Sequence, residues 1–422
     1  MMRVLDIWWD GRRVGQLTQD HHGELGFAYA QEWIDNNSAL ALSASLPKRV
    51  QPFSRRECRP FFGGLLPEEG QRDAAAQVLG VSRANDFALL DRLGGDVAGA
   101  LQLLPQDEMP RTPSLDQQPL PLDEAGLIRV LDALPLRPLL AGEDGLRLSL
   151  AGAQSKVPVV LVNGIIALPV PGQPTTHILK PSIARFPATT ENEAFVMRLA
   201  AAIGLDVAKV EPRIVRDREF LLVQRYDRAT TEDGNIRRIH QEDFCQALGV
   251  PPETKYASEG GPSFKDCFAL LRRVASRPAL DVLKLLDAAI FNLIVGNADA
   301  HGKNFSILYD EQGLHLAPLY DLLSTMVYPE LLPKLAMKIG KCGKLEEMNS
   351  GAWSAFATEA GLGLPLVRRR VTEISDSVMA KSNDVLHRLA TPGFDEDALL
   401  KYSDMICMRA EQVASTLRGQ HN

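Results

Sequence analysis

The chain has 422 residues, 45% of them hydrophobic and 23% charged, with 46 basic against 53 acidic side chains and a net charge of −7. That length predicts two or three domains, and the acidic balance excludes a dedicated nucleic-acid coat while leaving room for a local basic patch. There is no run of about 18 apolar residues and no signal-peptide pattern in M-M-R-V-L-D-I-W-W-D, and the five scattered cysteines (Cys58, Cys245, Cys267, Cys342, Cys407) form no C-x-x-C pair, so a cytoplasmic protein with reduced thiols and no membrane segment is expected.

Residues 3–29 read as an antiparallel meander. Val4 to Trp9 is a strand, Asp10-Gly11 a tight turn, Arg12 to Leu17 the return strand and Gly23 to Tyr29 the third. Phe61 to Glu68 reads as a strand or turn leading into a helix with Pro67 at its start and Glu68 and Glu69 in its first turn; Gly80 ends it. A second helix runs from about Asn85 to Leu93 and stops at Gly94-Gly95. Residues 1–104 form the first unit of this reading. Residues 105–121 contain five prolines and read as a linker, and residues 123–134 as a short amphipathic helix.

The segment Arg147 to Lys156 is a small-residue loop between strand-like stretches, followed by a hairpin with an Asn163-Gly164 turn. Ala151-Gly152-Ala153 lets backbone N–H groups approach an anion, as a phosphate-cradling loop requires; an ordinary strand connection would read the same way. Thr175 to Pro181 is a strand carrying Lys180. That lysine suits a phosphate contact, or a snorkelling place at a strand edge. Glu191 and Glu193, in a helix over Thr190–Ala202, are candidate partners for it, or acids favoured by the helix dipole. Strands follow at Val210–Val215 and Glu219–Tyr226, the second ending in Gln224-Arg225-Tyr226-Asp227, which suits the hinge of a two-lobed nucleotide enzyme. From about residue 240 the pattern turns helical: Gln241–Gly249, Phe264–Ala275, Ala279–Val295, Ser350–Gly361, Leu366–Asn383 and Asp395–Arg418.

Asn297-Ala-Asp-Ala-His-Gly-Lys-Asn-Phe-Ser306 follows the most apolar of these helices. Asp299 and Asn304 are five residues apart, and Tyr320-Asp321 lies beyond a further apolar segment. Three oxygen-bearing side chains of these types can act together. One carboxylate takes a proton from a hydroxyl while the amide and the second carboxylate hold Mg²⁺ on nucleotide phosphates. A short D-x-x-x-x-N also suits a polar turn between buried segments. The order of elements predicts an α+β, two-lobed protein-kinase-like fold with a strand-rich N-lobe (122–226), an all-helical C-lobe (227–422) and a small N-terminal mixed α/β subdomain (1–104), the linker 105–121 lying between.

Taken in order, S-L-A-G-A-Q-S-K (149–156), T-T-H-I-L-K (175–180), E-N-E-A-F (191–195), Q-R-Y-D-R (224–228), H-Q-E-D-F-C-Q-A-L-G (240–249), N-A-D-A-H-G-K-N-F-S (297–306) and L-Y-D-L-L-S (319–324) resemble the HipA family, and F-F-G-G-L-L-P-E (61–68) resembles its N-terminal subdomain. The resemblance covers nearly the whole chain. It implies a Ser/Thr kinase that serves as the toxin of a bacterial type II toxin–antitoxin module, uses ATP and Mg²⁺, and phosphorylates a translation protein such as glutamyl-tRNA synthetase or another aminoacyl-tRNA synthetase. It further implies a HipB-like helix-turn-helix antitoxin as partner, with operator DNA contacted only indirectly through it. In this reading Asp299 is the base, and Asn304 and Asp321 bind Mg²⁺. Ala151, Gly152, Ala153, Gln154, Ser155 and Lys156 cover the ATP phosphates with Lys180. Gln224, Arg225 and Tyr226 line the adenine hinge, His301, Lys303 and Tyr320 border the nucleotide, and Ser149 is the autophosphorylated, self-silencing serine. The chain departs from ordinary kinases in Asp321-Leu-Leu, in His301 two residues after the base, and from the family in Gln224. A non-catalytic co-repressor and a small-molecule phosphotransferase are the competing readings.

Overall fold

The computed structural model describes residues 2–111, 117–143, 146–389 and 393–417, so part of the proline-rich linker (112–116) and Arg418 of the last expected helix lie outside the described residues. The chain forms two compact units. The first comprises Met1–Pro181, Val215–Glu253 and Leu308–Asp310, and the second Ser182–Ile214, Thr254–Ile307 and Glu311–Asn422.

In the first unit, an antiparallel sheet has the strand order Leu25–Tyr29, Arg12–Gln19, Arg3–Trp9, Leu101–Pro105. Ile7 sits opposite Gly15 on one side and Leu103 on the other. Alternation places Leu5, Ile7, Leu17, Leu25 and Phe27 in one core, which Val14 joins where the register shifts opposite Ile7 and Trp8. Helices Arg55–Gly64, Glu69–Leu79 and Asp86–Leu93 add Phe61, Phe62, Leu89, Leu90 and Leu93 to that core. Phe61 to Gly64, expected as strand or turn, is instead the last part of the first of these helices. Its start is set by a capping box, Ser54 with Glu57, which outweighs the paired glycines. Gly80, at φ +64°, ends the next helix, and the Asn85 side chain caps the third by accepting from Ala88 N.

A second antiparallel sheet of this unit runs Ile165–Ala167, Val157–Val162, His177–Pro181, Arg218–Gln224. Its hairpin turns at Asn163-Gly164, both at positive φ. Its inner face packs Val157, Val159, Leu179, Phe220 and Leu222 with Val130, Leu131 and Leu134, the latter from helix Glu124–Ala133 and its C-cap. His240–Asp243, expected to open a helix, is a strand. The helix begins only at Phe244, where Asp243 caps it and Gly249 closes it.

The second unit is built on helices Thr189–Ala202, Phe264–Val274, Pro278–Val295, Ser350–Glu359, Leu364–Leu389 and Glu396–Ser415. In Leu364–Leu389 the buried Val367, Val371, Ile374, Val378 and Val385 recur at helical spacing. Phe264, Phe268, Trp353 and Phe356 form an aromatic cluster, with Phe264 and Phe356 edge-on at 5.5 Å. The all-helical expectation for 227–422 does not hold. Arg228–Thr230 pairs with Ile236–Arg238, and His240–Asp243, Ser306–Asp310 and Gly313–Leu316 are strands too. The physical cause is legible in S-I-L-Y-D-E-Q-G-L-H-L: short apolar runs around a glycine at φ +95° favour extended chain over helix. A mixed α/β fold is what the structure shows.

Candidate active site

The small-residue loop of the first unit is fixed at both ends by backbone. Asp96 N donates to Arg147 O and Ser149 N donates to Asp96 O, each at 2.9 Å; further along, Glu68 N donates to Gly152 O at 3.2 Å. Ser149 is fully buried and its hydroxyl donates to Leu65 O at 2.7 Å. Gly152 takes φ +114°, a conformation that disfavours any side chain, and a Cβ there would fall 2.3 Å from Lys156 Nζ. Lys156 folds back so that its ammonium donates to Ala151 O at 2.8 Å. Gln154 Nε2 reaches Pro181 O at 3.4 Å, joining the loop to the end of the strand that carries the buried Lys180. Ala153 is exposed and Ser155 half-buried.

The expected hinge divides. Gln224 is exposed, opposite His177 across the sheet. The Tyr226 hydroxyl donates to Gln241 Oε1. The Arg225 side chain turns inward, into a cluster with Asp96, Asp227, Arg228 and Arg238. It donates to Asp227 at 2.7 and 2.9 Å, to Thr175 Oγ1 at 2.9 Å and to Val97 O at 2.8 Å. Asp96 also accepts from Arg228 at 3.0 Å, Arg238 at 2.8 Å and Thr175 at 2.7 Å. Burial alone would raise the Asp96 carboxyl; Arg228, Arg238 and Arg225 outweigh it and hold it well below the usual carboxylate range. Burial and the neighbouring Arg225 bring Arg228 down to about 10. The side chain of Arg225 is therefore committed to a buried ion network that also holds the loop's first residues through Asp96. Removing one member of such a buried network leaves an uncompensated buried charge, which is strongly destabilising.

In the second unit, helix Pro278–Val295 ends at Gly296, φ +72°, and its last carbonyls are held by Arg409, which donates to Leu293 O at 2.8 Å and Ile294 O at 3.0 Å. The loop after it is tied residue by residue. Asn297 Nδ2 donates to Asn292 Oδ1 at 2.8 Å, and Asn297 Oδ1 accepts from Asp299 N at 3.2 Å. Ala298 N donates to Thr325 Oγ1 at 2.9 Å, and that hydroxyl donates on to Gly296 O at 3.1 Å. Asn304 Oδ1 accepts from His301 N at 3.1 Å while Asn304 N donates to His301 O, closing a one-turn cap around buried Lys303. The Tyr320 hydroxyl donates to Lys303 O and lies 2.7 Å from Ser306 Oγ, which sets Tyr320-Asp321 against the loop. Asn297 Nδ2 also lies 3.5 Å from Asp321 O. Asp321 has φ +52°, unusual for a residue other than glycine and the kind of backbone strain that collects at functional sites.

Asp299, Asn304 and Asp321 thus occupy one pinned loop and the segment braced to it. The donors are hard oxygens, as Mg²⁺ prefers, and Asn304 Oδ1 keeps a second lone pair beyond its bond to His301 N. Among the described residues no cluster of three His, Cys, Asp or Glu is placed to hold a metal ion. Two supporting residues escaped the sequence reading. Asn192, inside E-N-E-A-F, pairs both ways with the Ser324 backbone, each bond at 2.8 Å, and so holds the chain just past Asp321. Tyr256 donates to Asp299 Oδ1 at 2.9 Å. Of the two helix acids, Glu191 accepts from Asp395 N at 3.2 Å, and Glu193 is equally buried.

Residues 148–386 match the HipA-like C-terminal domain and residues 5–104 the HipA N-terminal domain. The chain belongs to the HipA family. Among HipA relatives, "Putative kinase Y4mE" of Sinorhizobium fredii is 70% identical over 98% of this chain and 99% of that protein. "Serine/threonine-protein kinase toxin HipA" of Shewanella oneidensis is 30% identical over 94% of this chain and 93% of that protein. A chain in the solved Shewanella oneidensis complex of the toxin–antitoxin system HipA, HipB and its operator DNA superposes with a TM-score of 0.85 at 27% identity, covering 98% of this chain and 99% of that one. Among the described residues no helix is long and apolar enough to cross a membrane.

Proposed function

We propose that this HipA-family chain is a Mg-ATP-dependent protein serine/threonine kinase, the toxin of a type II toxin–antitoxin module. The observation that carries the reading is the pinned loop bearing Asp299, Asn304 and Asp321, taken with the Shewanella relative's name as a serine/threonine-protein kinase toxin. In the reaction the acceptor hydroxyl oxygen bonds to the γ-phosphorus, the bond from that phosphorus to the β-phosphate bridging oxygen breaks, and the hydroxyl proton passes to the Asp299 carboxylate. Asn304 and Asp321 would hold Mg²⁺, which neutralises phosphate charge when bound. Lys303 and His301, on the same short turn, would stabilise charge at the transferred group. Residues Ala151 to Lys156 would close over the phosphates, and Lys180 would contact them as a point charge. The side chain of Tyr226 and the main chain from Gln224 to Tyr226 would meet the adenine.

The target would be a translation protein, with an aminoacyl-tRNA synthetase such as glutamyl-tRNA synthetase the leading class, and its modification would arrest growth. A HipB-like helix-turn-helix antitoxin would restrain the kinase and carry it to operator DNA. A net charge of −7 supports leaving most DNA phosphate contacts to the antitoxin. Expression in the native host tests this. The wild type is expected to arrest growth and add phosphate to at least one translation protein, while Asp299→Gln does neither. Arrest by both forms would replace the proposal with a non-catalytic co-repressor role.

A further inference from the structure

We infer that Tyr256 is the positioning residue of the Asp299 base, an inference that rests on the kinase reading above. Tyr256 lies 43 residues before Asp299, and its hydroxyl donates to Asp299 Oδ1 at 2.9 Å. Ala298, Ala300 and His301 around the aspartate are buried, whereas Asp299 itself is exposed. Tyr256 is among the groups that set the direction of its carboxylate. A base on an exposed Cβ samples several rotamers, and only some aim a lone pair at an acceptor hydroxyl.

The tyrosine is built to supply that restraint. Its carbonyl accepts from both Glu259 N and Gly261 N at 2.9 Å, closing a tight turn around the 3₁₀ segment Ala257–Glu259. Gly261 packs so closely that a Cβ there would fall 2.3 Å from Thr254 O. The next residue, Ala257, donates to Ala336 O at 3.2 Å, and Ala336 N donates to Ala298 O at 2.7 Å. One residue, Ala336, thus stitches the backbone beside Tyr256 to the backbone beside Asp299. The ring stands edge-on to His301 with centroids 5.3 Å apart and an 80° interplanar angle, and the Lys255 ammonium lies 5.4 Å from its centre. The hydroxyl is thus a donor on a tied turn, delivered to an exposed carboxylate.

Tyr256→Phe removes only this hydroxyl. Autophosphorylation of the purified full chain is followed in single-turnover reactions with labelled ATP and Mg²⁺ over a range of ATP concentrations, beside thermal melts. The maximal rate constant is expected to fall about tenfold or more, the scale of a lost alignment, with half-saturating ATP and melting temperature unchanged. An unchanged rate would overturn the inference, and a faster rate would mean that the hydroxyl obstructs the base instead of aiming it. A slower rate accompanied by weaker ATP binding and a lower melting temperature would assign Tyr256 a purely structural part. Absence of transfer by the wild type would instead sink the kinase reading itself, and this inference with it.

Discussion

Ser149 has no exposed surface, and its one polar side-chain atom donates to a carbonyl, Leu65 O. A phosphate in that position has roughly −1.5 to −2 charges and nothing to donate, so it cannot take over the hydroxyl's place against a carbonyl oxygen. Phosphorylated Ser149 would have to leave its niche and pull the loop at Ala151–Lys156 with it, which would give the self-silencing that the family resemblance implies for this serine. Ser149→Ala is accordingly expected to remove autophosphorylation and to cost about 1–3 kcal/mol of stability, because the buried Leu65 carbonyl loses its donor. Mass spectrometry and chemical denaturation check both; phosphate mapping to another residue in the unmutated chain would move the switch elsewhere. The candidate residues Asp299, Asn304 and Asp321 are legible in the sequence, because they keep a spacing and a chemical type. Their supports are not. Tyr256 meets its partner across 43 residues and Asn192 across 132, and nothing in the local pattern announces such pairings. At Arg225 side chain and main chain part company: its place in Q-R-Y-D marks it for the hinge, while its guanidinium is turned into the Asp96 and Asp227 cluster, contacts made with a residue 129 positions earlier and one two positions later.

At the scale of elements, turns and caps made most of the fold legible. Asp10-Gly11, Asn163-Gly164, Gly80, Gly249 and Gly296 each end or reverse an element as their left-handed backbone permits. The misjudged stretches are ones where tertiary context beat composition. Phe61 to Gly64 stays helical because Ser54 and Glu57 start the helix and its phenylalanines pack into the core. His240–Asp243 is a strand of four polar residues, of which His240, Glu242 and Asp243 are buried, so no apolar alternation announces it. Helix Thr189–Ala202 has a part beyond its apolar packing. Through Asn192 it grips both the N–H and the carbonyl of Ser324, and Asn192 Nδ2 also lies 3.2 Å from the Tyr328 hydroxyl. Asn192→Ala leaves buried backbone groups unsatisfied at about 1–3 kcal/mol. It is expected to lower the melting temperature and, by freeing the chain after Asp321, to weaken Mg-ATP binding; calorimetric titration with Mg-ATP checks the second effect. Unaltered nucleotide affinity would show that Asp321 is held by its other contacts alone.

For the molecule as a whole, two buried groups of the first unit oppose each other in pH. Burial pushes the Glu242 carboxyl up to about 7 against its bonds from Ser43, Tyr309 and Ala44 N, with Asp243 raising it further. Its folded value lies above the ordinary 4.5, so the folded state holds the extra proton and stability falls as pH rises from about 4.5 to about 7. Burial pushes His240 down to about 4, against the Leu42 carbonyl and the charge of Asp227. There the unfolded chain holds the extra proton, and stability rises as pH climbs from about 4 to about 6.5. The two slopes oppose each other in the wild type. Glu242→Gln is expected to leave a stability that increases with pH over this window, read from urea midpoints at pH 4.5, 5.5 and 6.5, and an unchanged profile would mean that Glu242 does not titrate there.

The claim on which the whole account stands is phosphoryl transfer by Asp299. Its most direct test is incubation of the purified chain and its Asp299→Gln variant with Mg²⁺ and γ-labelled ATP, followed by phosphosite mapping. The account predicts label on Ser149 in the wild type and none in the variant. Equal labelling of both, or no label on either the chain or any protein of a host lysate, would contradict it.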